Sequence, residues 1–366
     1  MELMETLKQL HIQLPEFGFA PDVEKALKEY LLFLREREDL LELAQTYHND
    51  IYENNRYTPG RVEGLPENDG REEGMLFAAL NLARYTRLDE VLARRGIPAE
   101  VKAGALRTYR ELLQKNKNCY GSYGLRGMYR SGMVPYMSPR KYILGRLCFE
   151  VAEFTGPYEV YRNRKDGRTI PLALPGPVYM ENGKRAPKDY AGKTFEPYLR
   201  EENGLVYGFA FDEESGRLNP TEVVLDTRDY EKVLQTGDDV ISVHIPKNGK
   251  MSPEPVTEAF AIADKFFPAY YPEIRFKAYV CSSWLLNTDM REFLSPESNI
   301  IKFQNRFRNV MATLNGYSLY WHIFGVEQFL PLDQLQPVNS FQQTLLDRVK
   351  SGQTLYNGYS YILINQ

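Results

Sequence analysis

Cysteine is scarce in this chain. Cys119, Cys148 and Cys281 are the three in 366 residues, an odd number too widely spaced for a disulfide framework or a CxxC zinc site. That usage predicts a reducing, cytoplasmic setting. An excess of positive charge is also missing: Lys and Arg total 45 against 49 Asp and Glu, a formal net charge of -4. Nucleic acid and anionic membranes need a basic face, so neither is expected as a partner. No apolar run approaches the length of a membrane-spanning helix. The opening MELMETLKQLHIQL lacks the basic start and unbroken apolar stretch of a secretory leader, so none is expected. Internal repeats and low-complexity tracts are absent too. What is present, 43% hydrophobic and 26% charged residues, is an ordinary folded composition, long enough for two domains or for one with a large elaboration.

The first part of the chain carries helical periodicity. Val23, Leu27, Tyr30, Leu31 and Leu34 recur at helical spacing between charged residues, which predicts one long helix or two short ones over 22–54. The turn-forming run YTPGRVEGLPENDG predicts a loop. Helix returns in EEGMLFAALNLARYTRLDEVLARRG, with Gly96 as its stop, and again after Pro98. A Gly- and Tyr-rich stretch, CYGSYGLRGMYRSGMVPYMSP, then marks a change of texture. Tyr120, Tyr123 and Tyr129 there are more simply packing residues than a substrate cover.

Beyond it come short β-branched and aromatic runs. YILGRLCFEVAEF predicts a strand. YEVYRNRKDGRTIPLAL predicts a hairpin, because Asp166-Gly167 supplies the positive φ of a tight turn. GLVYGFAF and EVVLDT predict further strands around a polar, solvated insertion. The expected fold is therefore α+β: a helical domain over 1–138, and a mixed-sheet domain with flanking helices over 139–366 with a strand-rich insertion around 157–232.

Chemistry concentrates further on. In VISVHIP, Ile241, Val243 and Ile245 alternate with Val240, Ser242 and His244, so a strand aims His244 away from the most aliphatic face. The loop KNGKMS follows, with Ser252 as N-cap and Pro253 as first residue of a helix whose apolar stripe is Val256, Phe260, Ala263 and Phe267. A second strand then runs through RFKAYVCSSWLL. Strand, loop and helix in that order make a ready phosphate site, to which Lys247 and Lys250 add charge and Gly249 close approach. The competing reading of KNGK is a plain surface turn.

The segments LGRLCFE, GDDVISVHIPKNGKMSPEPVTEAFAIADKFF, CSSWLLNTDMREFLSPESNIIKFQNRF, WHIFG and FQQTLLDRVKSG together resemble a bacterial family of GNAT-like acyltransferases. In that family a helical N-acyltransferase N-terminal domain precedes a GNAT-like C-terminal domain. The resemblance implies a mixed sheet splayed between its fourth and fifth strands, here VISVHIP and RFKAYVCSSWLL, with an acyl-CoA in the opening. It implies acetyl-CoA or a longer acyl-CoA as co-substrate, no metal, and a small-molecule or peptide amine as acceptor. The cofactor-binding set would be Ile245, Pro246, Lys247, Asn248, Gly249, Lys250, Met251, Ser252 and Trp284. Two features depart from the family pattern. PKNGKM keeps one glycine of the usual pyrophosphate loop, and NTDMREFLSPESNIIKF lacks the tyrosine that protonates the departing thiolate.

His244 is the first candidate for a general base; a structural histidine beside the loop is the alternative. Glu254 is the second candidate base. Ser283 is a third catalytic candidate, although Cys281, Ser282 and Ser283 sit in no nucleophile elbow, and a strand cysteine is more often core. Trp284 reads as core packing or as a channel wall. Ser298 and Asn299 read first as a helix start, and Lys302, Arg306 and Arg308 as its solvated face. Two other functions stand beside acyl transfer: a catalytically degenerate sensor of CoA or a nucleotide, and an interaction protein whose helical half recruits a partner.

Overall fold

A computed structural model describes residues 2–53, 74–126, 128–247, 249–311, 313–314, 316–326 and 329–364. The chain divides into two units, Met1–Leu144 with Lys265–Tyr271, and Gly145–Asp264 with Pro272–Gln366. The sequence placed the boundary after residue 138. Leu125, Met133, Val134 and Met137 are buried, so the Gly- and Tyr-rich stretch packs as part of the first unit.

The first unit is helical: α1 (Glu2–Gln13), α2 (Pro21–Arg35), α3 (Glu38–His48), α4 (Met75–Thr86), α5 (Leu88–Ala93), α6 (Ala103–Tyr120) and α7 (Met128–Met133). Each of the early helices hides one stripe. In α1, Leu3, Leu7 and Leu10 are buried at i, i+4 and i+7, each contributing about 1.5–3 kcal/mol. The periodicity over 22–54 resolves into two helices rather than one. In α4 every residue from Met75 to Tyr85 is buried, which makes it the central helix. Its one amide, Asn81, is satisfied by donating to the Phe77 carbonyl at 2.8 Å and accepting from the Tyr52 hydroxyl at 2.7 Å. Gly121, at φ +77, ends α6 with its N–H on the Lys117 carbonyl. The Tyr123 hydroxyl donates to Asp22. The predicted loop YTPGRVEGLPENDG lies outside the described residues. Among the described residues, no helix is long and apolar enough to cross a membrane.

From Lys141 onward the chain turns to strands: β1 (Lys141–Leu144), β2 (Leu147–Glu153), β3 (Tyr158–Asn163), β4 (Thr169–Ala173), β5 (Tyr179–Met180), β6 (Thr194–Phe195), β7 (Arg200–Glu202), β8 (Leu205–Phe211), β9 (Leu218–Asp226), β10 (Tyr230–Leu234), β11 (Asp239–His244), β12 (Ala278–Ser283), β13 (Thr313–Leu314) and β14 (Tyr356–Leu363). The run YILGRLCFEVAEF is not the single strand its composition suggested. It breaks at Gly145, whose φ of +61 suits glycine, and β2 begins two residues later.

In the second unit β2, β11, β12, β14 and β13 lie side by side in that order. The pair β11 and β12 is parallel, while β2 and β14 run antiparallel to their neighbours. Helix α8 (Pro253–Tyr270) is the crossover between the parallel strands, as a parallel pair requires. It covers one face of this sheet: Phe260 meets Phe149 and Tyr279 edge-on at 5.6 and 5.2 Å, and the Tyr279 hydroxyl donates to Asp264 at 2.7 Å. The other face receives the insertion. There β10, β3, β4, β8 and β7 form a second sheet, with β9 on β8. Phe154, Tyr158, Val160 and Phe211 pack with Val240, Ala278, Val280 and Tyr361 in one core. The predicted hairpin is β3–β4, turning at Gly167 with φ +74. A separate cluster near the C-terminus gathers Leu319, Ile323, Leu345 and Leu346 around α10 (Ser340–Lys350). This is the α+β fold the sequence predicted.

Candidate active site

The ladder between β11 and β12 is short. It pairs Val240 with Ala278, Ile241 with Tyr279 and Ser242 with Val280, and stops there. Each strand nevertheless continues against its other neighbour, β11 to His244 opposite Cys148 and β12 to Ser283 opposite Gly358. The two parallel strands therefore diverge at their C-terminal ends. Between them opens a cavity of about 580 Å³, walled by Val243, His244, Ile245 and Pro246 on one side and by Cys281, Ser282, Ser283 and Trp284 on the other. Backbone groups that a continued ladder would consume face this opening, and they are strong, obligatory hydrogen-bonding groups.

The histidine is on the cavity wall. Val240, Ser242 and His244 alternate onto the same face of β11, and on β2 Glu150 stands opposite Ser242. The His244 Nε2 lies 2.8 Å from Glu150 Oε2, with side chains 41% and 17% exposed, and 3.4 Å from Ser242 Oγ. A carboxylate only accepts, so Nε2 carries the proton in the neutral ring and Nδ1 is the basic atom.

The loop after β11 is held from outside its own segment. Arg146, just past the break at Gly145, donates from Nε to the Lys250 carbonyl at 3.1 Å and from Nη2 to the Gly249 carbonyl at 3.0 Å. Its Nη1 is buried with no partner, it lines the cavity, and burial lowers its pKa from the ordinary value. A guanidinium on a cavity wall is a group that an anionic ligand can pair with. Gly249 takes φ +99, a conformation that disfavours any side chain. The Lys247 ammonium donates to the Trp321 carbonyl at 2.8 Å.

Of the residues proposed from sequence, His244, Ile245, Pro246, Lys247, Gly249, Met251, Ser283 and Trp284 line the cavity. Lys250, Ser252 and Glu254 are not part of that lining, and Glu254 is exposed on the first turn of α8. Asn248 lies outside the described residues. Ser283 has a local duty, capping the short turn Trp284–Leu286 by accepting from the Leu285 N–H at 3.2 Å. The second strand thus ends at Ser283 instead of running through Trp284-Leu285-Leu286. Trp284 packs against Phe341 at 6.0 Å and joins the C-terminal cluster, so it is both core and wall. Burial pushes the Cys281 thiol up to about 12, which keeps it protonated at neutral pH and unfit as a nucleophile. Ser298 caps α9 (Asn299–Gln304), as the simpler reading held. Arg306 does more than face solvent: it donates to the Pro253 carbonyl at 3.2 Å and to the Thr257 hydroxyl, pinning the first turn of α8. Among the described residues, no group of three or more His, Cys, Asp or Glu is placed to hold a metal ion.

Arg146, Tyr317 and His322 also line the cavity, and sequence reasoning missed their part in it. Arg146 lay inside a run read as continuous strand, and Tyr317 and His322 come from a turn far along the chain. WHIFG was a signal for the last of these.

The sequence model of the family described as GNAT-like C-terminal domain matches residues 142–362. The chain belongs to that family. A solved acyltransferase in complex with decanoyl-CoA is similar in structure, with a TM-score of 0.60 at 16% identity, covering 96% of this chain and 86% of that one. An acyltransferase mutant with octanoyl-CoA gives 0.58 at 17% identity, covering 97% and 94%. One in complex with decanoyl-CoA and teicoplanin gives 0.57 at 17% identity, covering 99% of each chain. No curated protein sequence matches the chain significantly. The fold of these solved acyltransferases thus extends over nearly the whole chain.

The turn that carries Trp284 approaches β14 closely. A Cβ on Gly358 would fall 2.6 Å from both the Cβ and the carbonyl oxygen of Leu286, in the turn that carries Trp284. Gly358→Ala is therefore expected to cost about 1–3 kcal/mol through overpacking, read as a lowered urea midpoint with an unchanged slope.

Proposed function

We propose that this GNAT-like protein is an N-acyltransferase that moves an acyl group from acyl-CoA to an amine by direct attack. The observation that carries the reading is the divergence of β11 and β12 beyond Ser242 and Val280, which leaves a cavity between a carboxylate-paired histidine and a cationic loop. Its volume of about 580 Å³ is that of a small-molecule site. The CoA pyrophosphate lies over the loop from Ile245 to Ser252. Pro253 and Pro255 lack N–H groups at the helix start, and the Arg146 guanidinium with Lys247, both on the cavity wall, supplies the positive charge in their place. The acyl chain points toward Trp284. Relatives solved with decanoyl-CoA and octanoyl-CoA support a medium-length donor, and the teicoplanin complex supports a small-molecule acceptor.

In the reaction the amine nitrogen bonds to the thioester carbon as the C–S bond breaks. His244 Nδ1 takes the amine proton, directly or through one water. The thiolate leaves and is protonated. Tyr317, on the cavity wall, is the donor we assign to that step in place of the tyrosine missing from the segment after β12. No acyl-enzyme forms. A sensor would need the cavity and the cations but no oriented base, so the His244–Glu150 contact favours the enzyme.

Calorimetry with CoA and a thiol-release assay with decanoyl-CoA over a panel of amines test the reading together. Micromolar binding and acceptor-dependent thiol release are expected. Binding without release for any amine would favour the sensor, and absence of binding would overturn both.

A further inference from the structure

Two strands bring a carboxylate behind the proposed base, and the sequence places them nearly a hundred residues apart. Glu150 sits in the middle of β2, is mostly buried, and stays out of the cavity wall, whereas His244 closes β11 and lines it. The antiparallel register sets Glu150 diagonally across from His244, with Cys148 directly opposite. We infer that Glu150 is a positioning residue that fixes the His244 ring with Nε2 protonated and Nδ1 basic toward the opening. This rests on the acyl-transfer reading of the same site and adds to it the group that makes its histidine an effective base.

The physical argument runs through geometry and charge. A contact of 2.8 Å between a ring nitrogen and a carboxylate oxygen holds the ring in one rotamer, which an exposed histidine would otherwise sample among several. When Nδ1 accepts the amine proton the ring becomes a cation, and an adjacent anion stabilises that cation as it forms. Glu150 gains or loses no proton in the step; it lowers the cost of placing one on its neighbour. Among the described residues, the other titratable groups that share the cavity wall or face His244 in the ladder are Cys148 on β2, Arg146 before it, Lys247 in the following loop, Cys281 on β12, and Tyr317 and His322. The cations among them oppose protonation of His244, so the carboxylate at 2.8 Å is the group that favours it.

The test is Glu150→Gln, which keeps the shape and an accepting oxygen but removes the charge. A proton NMR titration of the His244 ring, run without substrate, is expected to show its midpoint lower by about one pH unit in the variant. In turnover, kcat is expected to fall about tenfold with KM for acyl-CoA unchanged, and the acid limb of the pH profile to move down with the ring. The sign follows because a general base works deprotonated, and loss of the anion makes protonation harder. Glu150→Asp should recover part of kcat. In a His244→Gln background, Glu150→Gln should cost nothing further, since a residue that acts through another has no effect once that one is gone. An unchanged ring titration, or additive losses in the double variant, would overturn the inference. Should the wild type release thiol with no amine, the acyl-transfer reading fails, yet the ring titration still decides the contact.

Discussion

Replacing His244 by glutamine is expected to lower turnover by on the order of 10²-fold or more while leaving CoA affinity within about twofold. Glutamine keeps a polar group of similar reach but has no lone pair basic enough to take a proton from an attacking amine. The ring stands at the end of β11 where the ladder to β12 has already stopped, so its side chain supports no strand pairing there. The phosphates are assigned to Arg146 and Lys247, which the substitution leaves in place. A base and a brace thus give different signatures: loss of the base lowers kcat alone, whereas loss of a brace lowers affinity and stability together. Thiol release at saturating acyl-CoA, beside calorimetry on the same preparation, separates them. Equal turnover in the two proteins would eliminate His244 as base.

Arg146→Ala is expected to weaken CoA binding by about 10- to 100-fold. Two effects add. The guanidinium fixes the loop by donating to the carbonyls of Gly249 and Lys250 at 3.0 and 3.1 Å, and the residue brings its positive charge to the cavity wall where the phosphates are placed. Hydrogen bonds to charged groups contribute about 1.5–3 kcal/mol each, and 1.4 kcal/mol is a factor of ten in affinity. Arg146→Lys should fall between the two, since an ammonium keeps the charge but cannot bond two carbonyls and a phosphate at once. Raising the salt concentration should narrow the gap between wild type and Arg146→Ala only partly, because a half-buried charge is screened less than an exposed one. CoA affinity unchanged in Arg146→Ala would move the pyrophosphate away from this loop.

The sequence by itself determined the elements whose signals are local. Apolar residues at helical spacing specified α2 and α3 and the buried stripe of α8, because one face of a helix must leave water. Asp166-Gly167 specified the β3–β4 hairpin, because a tight turn needs positive φ and glycine gives it without strain. The alternation in VISVHIP put His244 on the less aliphatic face, and the loop and helix after it were read from turn formers and a proline start. Motif resemblance carried the GNAT-like fold. Tertiary structure alone decided how the site is assembled. The divergence of β11 from β12 is a property of two strands with the whole of α8 between them, and neither strand's own sequence records where the pairing stops. The glycine at 145 read as part of a strand because a single break in an apolar run looks like continuation, so Arg146 was hidden in it. Glu150 looked like an ordinary outward strand residue until antiparallel register set it beside His244. Tyr317 and His322 reach the cavity through the packing of the C-terminal cluster around Trp284. Spacing along a chain fixes which side chains share a face, but which faces meet is set by burial summed over the whole core.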